Sequence, residues 1–114
     1  MRRIFVLFGV VAALSACSST TKSEYDTAQT MLSGSPKVRS QVVTKCTAEL
    51  STKPARTRQG LADVANTSIS SMPRVVCQRI VTAWANGKLT YADIQATERG
   101  VPTPNTVRII QGRG

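Results

Sequence analysis

Met72-Pro73-Arg74-Val75-Val76-Cys77-Gln78-Arg79-Ile80-Val81-Thr82-Ala83-Trp84-Ala85-Asn86-Gly87 is the stretch that decides the fold. Val76, Cys77, Ile80, Val81 and Trp84 recur at the spacing that lines up on one face of an α-helix, whereas a strand would scatter them over both faces. Pro73 falls in the first turn, where a missing N–H removes no bond. Before it, Thr67-Ser68-Ile69-Ser70-Ser71 is a polar connection whose last serine offers a helix cap. Gly87 supplies the left-handed residue that ends the helix. Cys77 lies on the apolar stripe, so it faces a core.

Working outward toward the N-terminus, Ser35-Pro36 provides a capping serine followed by proline at the first helical position. Val38, Val42, Val43, Cys46 and Leu50 then form a second apolar stripe, with Arg39, Gln41, Lys45 and Glu49 outside it. Cys46 therefore faces the same core as Cys77. A weaker helix is expected over Arg58 to Ala65, with Leu61, Val64 and Ala65 inward and Asn66 at its end; Gly60 within it costs up to ~1 kcal/mol relative to alanine.

Toward the C-terminus, Thr90-Tyr91-Ala92-Asp93 has the spacing of a capping box, and Leu89 and Ile94 stand where a hydrophobic staple needs them. That helix is expected to run to about Arg99 and stop at Gly100. Thr103-Pro104 repeats the cap-then-proline start. Val107-Arg108-Ile109-Ile110 is β-rich, so residues 104–111 are expected as a last short helix with a strand as the alternative; an isolated strand finds no partner here. The expected fold is all-α, a small bundle of four or five short helices over residues 36–114. Its expected core is Val42, Cys46, Leu50, Val76, Cys77, Ile80, Val81, Trp84 and Ile94.

The chain begins Met1-Arg2-Arg3 and continues from Ile4 to Leu14 without a charge, the layout of a secretory signal peptide. As a helix that apolar run is roughly 17 Å long at ~1.5 Å per residue, short of the ~30 Å hydrocarbon core, so it reads as a signal and not as a span. Leu14-Ser15-Ala16-Cys17 then resembles the lipobox of bacterial lipoproteins. The resemblance covers residues 1–17. It implies a diacylglycerol on the Cys17 thiol, cleavage after residue 16 and acylation of the new amino group. Two or three acyl chains, at ~0.8 kcal/mol per buried methylene, anchor firmly. Ser18 in place of an aspartate implies, by the sorting pattern of that family, the periplasmic side of the outer membrane. Residues 17–35 are Ser/Thr-rich with few large apolar groups, which predicts a lipidated flexible tether between anchor and domain.

With residues 1–16 removed, 98 of 114 remain, and the expected body of fewer than 80 residues has a marginal core. Lipid on Cys17 would leave Cys46 and Cys77 as an even pair in an oxidising compartment, where a disulfide is expected. The same removal takes away Arg2 and Arg3, leaving 13 basic against 6 acidic residues. Lys37, Arg39, Lys45, Lys53, Arg56 and Arg58 share a stretch with a single acid, Glu49, and are the candidate anion-binding residues. Outside the cytoplasm the anions are phospholipid headgroups, lipopolysaccharide phosphates and peptidoglycan carboxylates.

No histidine occurs, and no Cys-x-x-Cys spacing, so neither a metal nor another cofactor is expected. Six acids without histidine do not assemble the usual acid–base or nucleophile constellations, and an enzyme is not expected. Phosphate-loop and dinucleotide glycine patterns are missing. Trp84 reads as core, Tyr25 as part of the tether and Tyr91 as a helix start, which makes no stacking platform for nucleic acid. Two functions remain: a structural or assembly component of an outer-membrane-associated complex with a protein partner, or a module whose basic face engages an anionic envelope polymer.

Overall fold

The computed structural model describes residues 19–114. The expected signal peptide, the lipobox-like stretch and the expected lipidation residue Cys17 lie outside the described residues. Within them the domain is all-α and carries the disulfide Cys46–Cys77, with a Cα separation of 5.9 Å. The helices are α1 (Lys22–Gly34), α2 (Pro36–Ser51), α3 (Ala55–Ala65), α4 (Met72–Ala85), α5 (Tyr91–Glu98) and α6 (Pro104–Ile110).

α4 is the centre, and α1, α2, α3 and α6 all pack on it. Its sequence explains why: Met72, Pro73, Val76, Cys77, Val81, Ala83 and Ala85 are all buried, an apolar surface wider than one stripe. The alanines let neighbouring backbones approach. Met72 and Val76 pack with Ala62 and Ala65 of α3 and Ile110 of α6. Val81 and Ala85 pack with Leu32 of α1, and Ala83 with Leu89 and Ile109.

The largest departure from expectation is α1. Residues 22–34, expected as tether, fold into a helix with Tyr25 and Leu32 buried, so among the described residues a sixth helix joins the five that residues 36–114 form, a number within the expected four or five. Thr21 starts it through a capping box: its hydroxyl accepts from the Glu24 N–H at 3.1 Å, and Glu24 Oε1 accepts from the Thr21 N–H. Tyr25 and Leu32 are seven apart, two turns along one face. A single residue, Ser35, then ends α1 and caps α2, its hydroxyl accepting from the Val38 N–H at 3.2 Å.

Two core assignments are corrected. Val42 is 39% exposed, because α2 meets the body along one narrow edge and buries no residue fully; Val43, about 100° round the helix, takes the inward place. In α3, Val64 points out and Ala62 points in. This helix begins at Ala55, three residues before the expected start, and Asn66 closes it in the left-handed conformation at φ 56°. Ser71 does not cap α4 with its side chain; its backbone is already helical, and Ser68 Oγ accepts from its N–H instead. Thr90 caps α5 and Thr103 caps α6 as the spacing predicts. Residues 104–110 are helical, which buries Ile109 and Ile110.

Candidate anion-binding groove

Because the disulfide ties α2 to α4, the two helices run past each other and leave a groove between them of about 420 Å³. On α2 it is lined at helical spacing by Arg39, Val43 and Thr47, with Ser40 and Thr44 one position on; on α4 by Arg74, Gln78, Val81 and Thr82. The two valines supply apolar surface and the rest is polar. No carboxylate lines it.

The direction of each polar group decides what the groove can take. Thr44 Oγ1 donates back to Ser40 O at 3.0 Å and Thr47 Oγ1 to Val43 O at 2.7 Å, so both hydroxyl protons are used within α2. One Arg39 nitrogen, Nη1, donates to Leu32 O at 2.6 Å, closing the C-terminal end of α1. Its remaining N–H groups, those of Arg74 and Gln78, and the Ser40 and Thr82 hydroxyls are the donors left to the groove. An arginine pair without an acid favours an anionic oxygen, and planar guanidinium suits phosphate and carboxylate.

The six basic residues named from the sequence do not come together. Arg39 enters the groove. Lys37 and Lys45 are exposed on α2, Lys53 stands in the α2–α3 turn, and Arg56 and Arg58 are on α3. Arg58 Nε is occupied by Lys53 O at 2.9 Å. α2 is 16 residues long, roughly 24 Å, so a run of basic residues along it is spread over the domain. Arg74, absent from the sequence-based set, lines the same groove as Arg39 only because α4 lies against α2.

The other partly or fully buried polar groups have structural partners. Arg79 Nη1 donates to Ala65 O at 2.9 Å and Ile110 O at 2.5 Å, one guanidinium serving the C-terminal ends of α3 and α6. Asp93, 5% exposed, accepts from the Thr90 N–H at 2.9 Å, Thr103 Oγ1 at 2.5 Å and Asn105 Nδ2 at 2.6 Å. Burial alone would raise its pKa, but the hydrogen bonds outweigh it and hold the carboxyl below its ordinary value. Asp93 thus joins the N-terminal ends of α5 and α6. At the surface, the exposed Glu98 receives the Thr20 N–H and hydroxyl, each at 3.1 Å from Oε2.

Fold and groove together define a small disulfide-linked helical domain with an acid-free basic cleft. The chain matches no family model, no curated protein and no solved structure.

Proposed function

We propose that the protein is a lipid-anchored component of the cell envelope, held through Cys17 on the periplasmic side of the outer membrane, that works by binding and not by catalysis. The observation that carries the binding reading is the groove that Arg39 and Arg74 both line and no carboxylate lines. It supports a module engaging an anionic envelope polymer, through lipopolysaccharide phosphates or peptidoglycan carboxylates. A second reading, an interaction component of an outer-membrane-associated complex, is supported by Met31, half exposed on the helix that buries Tyr25 and Leu32.

Sedimentation of the chain lacking residues 1–16 with peptidoglycan sacculi, lipopolysaccharide or phosphatidylglycerol vesicles tests the first reading and separates the anion sources. Binding to at least one, weakening with salt, is expected. No pelleting with any of them at low salt would discard it in favour of the protein partner.

A further inference from the structure

The chain enters the fold much closer to the lipidation site than an 18-residue tether would allow. Thr20 is already fixed, its N–H 3.1 and 3.2 Å from the two Glu98 carboxylate oxygens and its hydroxyl bonded to the same group. Cys17 precedes it by three residues, which span at most about 11 Å when fully extended at ~3.6 Å per residue. An acylated Cys17 therefore keeps the neighbourhood of Glu98 at the bilayer surface, whatever path those three residues take.

What stands at that place is unusual for the rest of the surface. The next residues are Arg99, Gly100, Val101 and Pro102, all exposed, and Val101 at 66% is the most exposed large hydrophobic side chain among the described residues. The loop is not frayed. Gly100, at φ 81°, turns the chain; its N–H donates to Thr97 O and that of Val101 to Ala96 O, both at 2.9 Å. At the other end Thr103 Oγ1 is bonded to the buried Asp93. A valine held out between an arginine and a proline by bonds at both ends is a fixed display, not a loose end.

We infer that the corner Arg99 to Pro102 is the surface on which the domain rests against the anchoring bilayer, Val101 entering the interfacial layer and Arg99 meeting anionic headgroups. The inference rests on the lipid anchor at Cys17 proposed above. One valine and one arginine bind a membrane weakly when free in solution, but holding Thr20, bonded to the neighbouring Glu98, within about 11 Å of the anchor makes the contact intramolecular, and its effective concentration high. Seating also sets an orientation. Arg39 is bonded to Leu32, eleven residues up α1 from Thr21 and about 17 Å along the axis, so the basic groove lies well away from the seated corner.

The test uses the full lipidated chain in vesicles of phosphatidylethanolamine with a minority of phosphatidylglycerol. Val101→Cys, and separately Val64→Cys on α3 as a comparison, are labelled with an environment-sensitive fluorophore under non-reducing conditions, and quenching by headgroup-attached nitroxide lipid is read after flotation. Expected is several-fold stronger quenching, with a blue-shifted emission, at position 101 than at 64. A protein that floats with the vesicles while both labels stay equally wet overturns the seating and leaves the anchor intact. A protein that carries no acyl mass and does not float overturns the anchor and the seating together.

Discussion

The indole of Trp84 stacks on the ring of Tyr25, centroids 5.5 Å apart and planes 14° from parallel, and its Nε1–H donates to the Tyr25 carbonyl at 3.3 Å. Tyr25 in turn donates its hydroxyl to Leu89 O at 2.5 Å and packs against Tyr91. One side chain from α1 thus covers the exposed side of the α4 tryptophan and closes the α4–α5 turn. Burial pushes the Tyr25 hydroxyl pKa up, with Asp26 and Asp93 adding to the rise and Lys22 opposing it, so it stays a donor at any ordinary pH.

It follows that the domain needs residues that composition assigns to the tether. Tyr25→Ala removes an aromatic ring from a closed cluster and is expected to cost about 3–5 kcal/mol. Tyr25→Phe keeps the stack and loses one bond, leaving Leu89 O without it, for about 1–2 kcal/mol. At ~4–8 °C per kcal/mol, thermal unfolding separates the two variants. A chain beginning at residue 36 should unfold far below the longer one; equal melting temperatures would return residues 19–35 to the tether.

The contrast between α1 and α4 shows what the sequence could reveal. In α4 the stripe read from the sequence is the one that packs, with Val76, Cys77 and Val81 buried and Ile80 and Trp84 against the core, and Cys77 on that stripe opposite Cys46 anticipates the disulfide. The two hydroxyl caps Thr90 and Thr103 were equally readable, because each needs only local spacing. α1 offers two buried anchors in 13 residues among serines and threonines, and composition conceals it. One local sign was present, Thr21-Lys22-Ser23-Glu24, the spacing of a capping box. The groove was readable only in part: Arg39 belongs to the basic run, whereas Arg74 is 35 positions away and joins it through helix packing.

Cys46→Ser opens a cross-link between residues 31 apart in a domain with a small core. The chain-entropy account gives about 3.5–4 kcal/mol for a loop of this size. Thermal unfolding of the oxidised protein beside Cys46→Ser, or beside itself under reductant, should show a loss of many degrees. Thiol titration of the native protein without reductant should find neither Cys46 nor Cys77 free.

Asp93 gives stability a dependence on acid. Its folded pKa lies below the ordinary value of 3.8, so the folded state binds its proton later than the unfolded state does as pH falls. Its contribution is therefore fully present above about pH 4 and is lost as pH drops through the lowered folded pKa. Asp93→Asn removes the charge and sets an amide donor against Thr90 N–H or Asn105, for about 1–3 kcal/mol at neutral pH. In urea unfolding across a pH series, the gap between wild type and Asp93→Asn should be constant from pH 7 to about 5 and shrink below about pH 4. A gap that stays constant through the acid range would mean that the carboxylate charge contributes nothing there.

The groove and a diffusely basic surface make opposite predictions for two charge reversals. Arg74→Glu changes the charge by two units at the groove, at an exposed side chain, so folding should respond within ~0.5 kcal/mol. Arg39 is unsuitable for this purpose, since its guanidinium also closes α1 at Leu32 O. Arg56→Glu/Arg58→Glu changes the charge by four units on α3, away from the groove-lining residues, although Arg58 gives up its bond to Lys53 O. If binding follows net charge, the double variant weakens it more, and both effects fade as the screening length falls from ~30 Å at 0.01 M to ~8 Å at 0.15 M salt. If the arginine pair holds an anionic oxygen directly, Arg74→Glu weakens it more despite the smaller charge change, and part of that loss persists at 0.15 M because a hydrogen-bonded pair at contact distance is screened less. Sedimentation with sacculi or lipopolysaccharide across a salt series measures both variants beside wild type. A larger loss for the double variant at every salt concentration would assign the binding to the overall charge and leave the groove without a role.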